Sequence, residues 1–155
     1  MGWLLSLILV VSPIFSQAES LTRFTTDYCT SYPEGTRDQP DLWKICCLEH
    51  DLFFWAGGSK KDREIIDLKL RDCVEKKAGS AQANLMYYAV RAGSLSPIKN
   101  PDKKWNNGWR ERPDYAPLSS EDVDQVEAEI LSDYFFIPVF LKFKFIQHLR
   151  QRTRP

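Results

Sequence analysis

Cys46-Cys47-Leu48-Glu49-His50-Asp51 is the stretch on which the fold turns. If it is helical, Cys46 and His50 are four residues apart and share a face, while Asp51 is turned away by about 100°. A disulfide from Cys46 can then pin the histidine against a neighbouring helix, and the Asp51 carboxylate can face a separate pocket. Cys29 and Cys73 complete a set of four cysteines. An even count in an exported chain implies disulfides. A bridge between the neighbours Cys46 and Cys47 needs a strained ring, so two pairings survive: 29–47 with 46–73, or 29–46 with 47–73. The competing reading, a zinc site, meets the objection that adjacent cysteines do not match the usual ligand spacings.

The spacing predicts a helix from Asp41, its N-cap, because Trp43, Cys46, Cys47, His50, Phe53 and Phe54 recur at intervals of three and four. Gly57-Gly58 stops it. Ser59 caps a second helix, with Asp62 as the partner of a capping box, and Gly79 ends it. Two helices joined by so short a turn lie antiparallel. Suppose Cys46 bonds Cys73. Four residues forward from Cys46 advance about 6 Å, and six residues back from Cys73 to Asp67 advance about 9 Å in the same direction. Asp67 then comes level with His50, although it is rotated by roughly 120° from Cys73 and must reach around the flank. A third helix is expected from Ala81 to Arg91.

Residues 93–118 form a long irregular stretch with four prolines and the segment Lys103-Lys104-Trp105-Asn106-Asn107-Gly108-Trp109-Arg110. Loops of this length are often functional. Ser119 or Ser120 caps a further helix, which Pro138 interrupts, and a Phe-rich cationic tail follows. The expected fold class is mostly α: two antiparallel disulfide-linked helices, irregular loops and a C-terminal helical extension. The expected division is a signal peptide at 1–18, a domain at 19–118 and the extension at 119–155.

The chain has 155 residues with 21 Lys plus Arg against 21 Asp plus Glu. A net charge of zero argues against a nucleic-acid binder, which needs a basic surplus to neutralise phosphates. The apolar run from Trp3 to Phe15, followed by Ser16-Gln17-Ala18, has the pattern of an export signal cleaved after Ala18. A secreted or periplasmic protein is expected. The run is short for a helix that spans a bilayer.

Over about residues 27–73 the chain resembles the secretory phospholipase A2 family, as a divergent, bacterial-like member. That family's helix carries Cys-Cys-x-x-His-Asp. A cysteine in a turn-rich upstream loop (Asp27-Tyr28-Cys29) and an aspartate six residues before a later cysteine (Asp67, Cys73) agree with it. The resemblance implies a phospholipase A2-like fold and calcium-dependent hydrolysis of a glycerophospholipid acyl ester at a phospholipid membrane surface. It implies His50 as general base and Asp67 as the carboxylate that orients it. It implies Asp51 as a Ca²⁺ ligand, joined by the carbonyls of Tyr28, Thr30 and Tyr32. It also implies the bridges Cys29–Cys47 and Cys46–Cys73. An imidazole suits proton transfer near neutral pH, and Ca²⁺ takes oxygen ligands. The chain departs from the family in four places, one of them an interval from Cys29 to Cys47 that is longer than the family's by about two residues. The loop after Cys29 reaches its only glycine at Gly35. Phe54 stands where a tyrosine would bond the orienting aspartate, a role for which Tyr87 or Tyr88 could substitute. Phe53 replaces a further cysteine.

Plainer readings stand beside these. His50 and Asp51 can belong to an inactive relative that keeps the scaffold as a lipid- or protein-binding module. Asp67 can be a solvated helix residue paired with Arg63 or Arg71. Tyr28, Thr30 and Tyr32 can be turn residues, and His148 a solvent-exposed residue of the basic tail. Trp105 and Trp109, set among cations, fit either a lipid interface or a loop folded onto the core. The tail fits either an interfacial helix or a packed helix whose cations meet the acids of the preceding one. Protein partners are not legible.

Overall fold

The computed structural model describes residues 20–93, 104–132 and 134–153, so the expected leader lies outside it. Among these residues the chain is mostly helical, with two disulfides. The helices are α1 (Lys44–Ala56), α2 (Lys60–Gly93), α3 (Ser120–Ser132) and α4 (Val139–Arg152). An isolated antiparallel bridge joins Leu21 to Trp109.

Helix α1 begins two residues later than the sequence suggests. Trp43, not Asp41, is its N-cap residue, and it makes no side-chain capping bond. The preceding loop fixes this start: Trp43 donates its backbone N–H to Glu34 O and its indole N–H to Pro33 O. Asp41 instead sits in a turn, where it receives the Lys44 ammonium.

The C-terminal end of α1 explains the two tryptophans. The last carbonyls of a helix have no partner within it. Here Phe53 O accepts from Gly57 N, Phe54 O from Asn106 N and Trp55 O from Gly108 N. Ala56 O accepts from the Trp109 indole, and the Trp105 indole adds a bond to Gly58 O. Trp105 and Trp109 are buried; they close the helix end and do not face a lipid. Gly57 turns with φ +80°, and a Cβ there would lie 2.4 Å from the Asn106 Cβ. Both the turn and the close approach require glycine.

Helix α2 opens on the expected capping box: Ser59 N–H donates to Asp62 Oδ2 at 2.7 Å, and Asp62 N–H to Ser59 Oγ at 3.3 Å. Gly79 then breaks it with φ 82° and ψ 170°. The chain doubles back there. In an unbroken helix Asp67 and Arg91 would be about 36 Å apart, yet their side chains meet at 3.0 Å. The two residues are equidistant from Gly79 in sequence. The stretch from Ala81 to Arg91 is therefore the return arm of a hairpin.

Ser119 caps α3 with Asp122 by the same reciprocal pair of bonds. That helix ends at Ser132, and Pro138 stands at the start of α4 instead of interrupting α3. Helix α4 buries Leu141, Phe145, Ile146 and Leu149. They join Leu52, Phe53 and Trp109 from the first part of the chain and Val126 and Ile130 from α3 in one core. The tail's cations meet acids: Arg150 reaches Asp124 and Glu127, Lys144 reaches Glu49, and Arg152 reaches Asp62. No helix among the described residues is long and apolar enough to cross a membrane.

Candidate active site

Both disulfides take the first of the two open pairings. Cys46–Cys73 ties α1 to the outgoing arm of α2, and Cys29–Cys47 ties the upstream loop to α1. With the helices so fixed, His50 Nε2 stands 2.9 Å from Asp67 Oδ1. Asp67 does reach around the flank, and it is 0 % exposed, which removes the solvated reading.

A buried carboxylate needs partners, because desolvation penalises its charge. Asp67 has three. His50 meets one oxygen, Arg91 Nη1 donates to the other at 3.0 Å, and Arg63 Nε lies 3.9 Å from that same oxygen. Burial pushes the Asp67 carboxyl up, but the bond and charge of His50, the Arg91 bond and the Arg63 charge outweigh it, and the net direction is down. An ionised carboxylate only accepts. His50 therefore carries its proton on Nε2, and Nδ1 is the basic nitrogen of the ring.

The second hydrogen bond to Asp67 comes from Arg91, not from Tyr87 or Tyr88. Tyr87 packs against Tyr88 and lies under Arg71. Phe54 has a different task. Its ring packs on His50 with centroids 4.6 Å apart, the Arg63 guanidinium sits 4.7 Å over it, and Trp105 meets it edge-on. One aromatic ring thus holds both the imidazole and a cation that serves Asp67.

On the other side, Asp51 Oδ2 accepts from Thr26 Oγ1 at 2.6 Å, and Thr26 Oγ1 in turn accepts from Tyr28 N–H at 2.9 Å. Tyr28, Thr30 and Ser31 have φ of 57°, 41° and 60°. These left-handed conformations cost a non-glycine residue about 1 kcal/mol or more each. The loop makes the backbone turns that glycine would make, held by Cys29–Cys47 and by the bond from Thr30 Oγ1 to Asp27 Oδ1. Tyr32 accepts at its hydroxyl from Gln82.

The donors here suit a hard cation in kind: the Asp51 carboxylate, the Thr26 hydroxyl and the carbonyls of a tightly turned loop are all oxygen. Among the described residues no group of three or more His, Cys, Asp or Glu could hold a metal. A cation at this place would rest on Asp51 for charge and on the Tyr28, Thr30 and Tyr32 carbonyls for the remaining protein ligands. The cavity that His50 lines has about 10 Å³, close to the room of one water. A larger groove, about 390 Å³, runs beside the loop between Tyr28, Ile45, Leu48, Phe136 and Pro138. No protein-family model, curated protein or solved structure matches the chain.

His148 is not a solvent-exposed tail residue. Its ring packs edge-on to Phe53, its Nδ1 lies 3.0 Å from Lys69 Nζ, and its Nε2 is buried with no partner among the described residues. Burial, then the Lys69 charge, pushes its pKa down to about 4; Glu49 opposes this and Lys144 reinforces it. A histidine that takes its proton near pH 6.5 when unfolded and near 4 when folded favours the unfolded chain on acidification. Stability should therefore fall as pH drops from 6.5 to 4. His148→Gln should flatten that part of the profile, read as urea midpoints at pH 7 and pH 4.5. An equal slope in both proteins would remove His148 as its source.

Proposed function

We propose that the chain hydrolyses an acyl ester of a glycerophospholipid, in the manner of the phospholipases A2 that residues 27–73 resemble. The observation that carries this reading is the 2.9 Å contact between His50 Nε2 and the buried, cation-held Asp67. His50 Nδ1 takes a proton from a water whose oxygen attacks the ester carbonyl. Asp67 accepts from Nε2–H, holds the tautomer and stabilises the imidazolium that forms. As the tetrahedral intermediate collapses, Nδ1–H returns the proton to the leaving glycerol oxygen. The products are a fatty acid and a lysophospholipid. Asp51 and the loop carbonyls would hold Ca²⁺, which when bound neutralises the lipid phosphate and the developing oxyanion.

A second reading, an inactive lipid- or protein-binding module, draws support from the small cavity at His50 and from the Thr26 hydroxyl on Asp51. Fatty-acid release from phosphatidylcholine vesicles separates the two. On the hydrolase reading, release occurs with Ca²⁺, stops with EGTA and is lost in His50→Gln. Vesicle binding without release, indifferent to both changes, would establish the module instead.

A further inference from the structure

Helix α4 is apolar on two faces. Leu141, Phe145 and Leu149 enter the core, while Val139, Phe140 and Phe143 occupy the opposite sector at 67, 65 and 62 % exposure. Just before the helix, Phe136 is exposed, and Phe135 is 96 % exposed. A helix that packs on one side and meets water on the other carries polar residues outside. Three large apolar side chains on one exposed helix face, with two more just before it, mark a surface that meets something else.

The ridge adjoins the groove that runs beside the Tyr28 loop. Phe136 and Pro138 line the 390 Å³ groove together with Tyr28, Ile45 and Leu48 and the charged pair Asp41 and Lys44. Leu48 and Asp51 are three apart on α1 and share a flank. Tyr28 is linked to Asp51 through the Thr26 hydroxyl. The exposed positions described from 135 to 151 are Phe135, Phe136, Val139, Phe140, Phe143, Lys144, Gln147 and Gln151, with no acid among them.

We infer that this ridge docks the protein onto a phospholipid bilayer and brings the groove mouth, with the Asp51 loop, to the lipid surface. The shape favours lipid over a folded protein. A phenylalanine with nearly all of its surface exposed stands proud of its surroundings, and a partner must close around it. Acyl chains flow around such a ring, and its burial there is favourable. The exposed positions from 135 to 151 carry no carboxylate, and in the groove the Asp41 carboxylate is paired with the Lys44 ammonium, so neither opposes lipid phosphates with an unpaired negative charge. The inference rests on the hydrolase reading for its purpose, but the docking is a separate physical event and can be measured alone.

The test is co-sedimentation of the full chain with phosphatidylcholine vesicles, made with and without phosphatidylglycerol, compared with the double variant Phe140→Asp, Phe143→Asp. Both sites are on the outside, so the urea midpoint should stay unchanged while partitioning onto either vesicle falls about tenfold or more. Loss confined to the phosphatidylglycerol vesicles would also support docking and assign it to anionic headgroups. Hydrolysis of monomeric dihexanoyl phosphatidylcholine, which needs no interface, should be retained by the variant. If neither protein releases fatty acid from the monomeric lipid but the variant alone loses vesicle binding, docking stands and the hydrolase reading falls. Equal partitioning of the two proteins overturns the docking. So does a wild-type dimer that the substitutions dissociate without change in vesicle binding, which would make the ridge a contact with a second copy.

Discussion

Asp67→Asn should leave the helices in place and lower fatty-acid release by about 10⁴-fold in kcat, with little change in KM. The reason lies in what surrounds the carboxylate. Arg91 and Arg63 can only donate, and both face Asp67 Oδ2. An amide at this position must turn its oxygen to them, so its NH2 group meets His50. Nε2 then has to accept, and the proton moves to Nδ1, the nitrogen that should be taking one from water. The variant would hold the right residues in the wrong tautomer. Stability should fall as well, by about 1–3 kcal/mol, since two charge-assisted bonds weaken in a buried place. A pH series adds an independent check. The Asp67 carboxyl lies below its ordinary value in the folded chain, so its share of stability is present above pH 3.8 and is lost as pH falls through the folded value. The asparagine variant should lack that acid limb. A variant that turns over at the wild-type rate would show that the His50–Asp67 contact is only structural.

The helices were legible because local signals agree with packing. Gly57-Gly58 and Gly79 mark the two reversals, and Ser59 and Ser119 each find an aspartate three residues on. The approach of Asp67 to His50 also followed from helix rise, once one disulfide was supposed. What the sequence hid is non-local. Arg91 stands 24 residues from Asp67, and only the doubling back at Gly79 makes them neighbours. The tryptophans looked amphipathic because their role is to donate to carbonyls at and just beyond the end of α1, some fifty residues away. His148 carried no local signal of burial, because its environment is assembled from Phe53 and Lys69 on two other helices. The left-handed turns at Tyr28, Thr30 and Ser31 run against residue preference altogether. Such strain persists where the surroundings impose it, here in a loop anchored by Cys29–Cys47 and by Thr26.

The two cross-links have separable consequences. Cys46→Ala with Cys73→Ala opens a bridge of sequence separation 27, and Cys29→Ala with Cys47→Ala opens one of 18. On the chain-entropy account these are worth about 3.5 and 3.2 kcal/mol at 25 °C, too close to distinguish by stability. Either loss should lower the melting temperature by roughly 6–14 °C in a chain of this size. Function should tell them apart. The first bridge sets the distance between α1 and α2, so its loss loosens His50 from Asp67 and should lower turnover even at saturating calcium. The second holds the Tyr28–Tyr32 loop against the helix that carries Asp51. Its loss should raise the calcium concentration needed for half activity and leave turnover at saturation within a fewfold of the parent. The measurement is a calcium titration of fatty-acid release at a temperature where both variants are folded by circular dichroism. If the two variants respond alike, the division of labour between an imidazole held by one cystine and an oxygen-rich loop held by the other is wrong, and the loop has no part in cation binding.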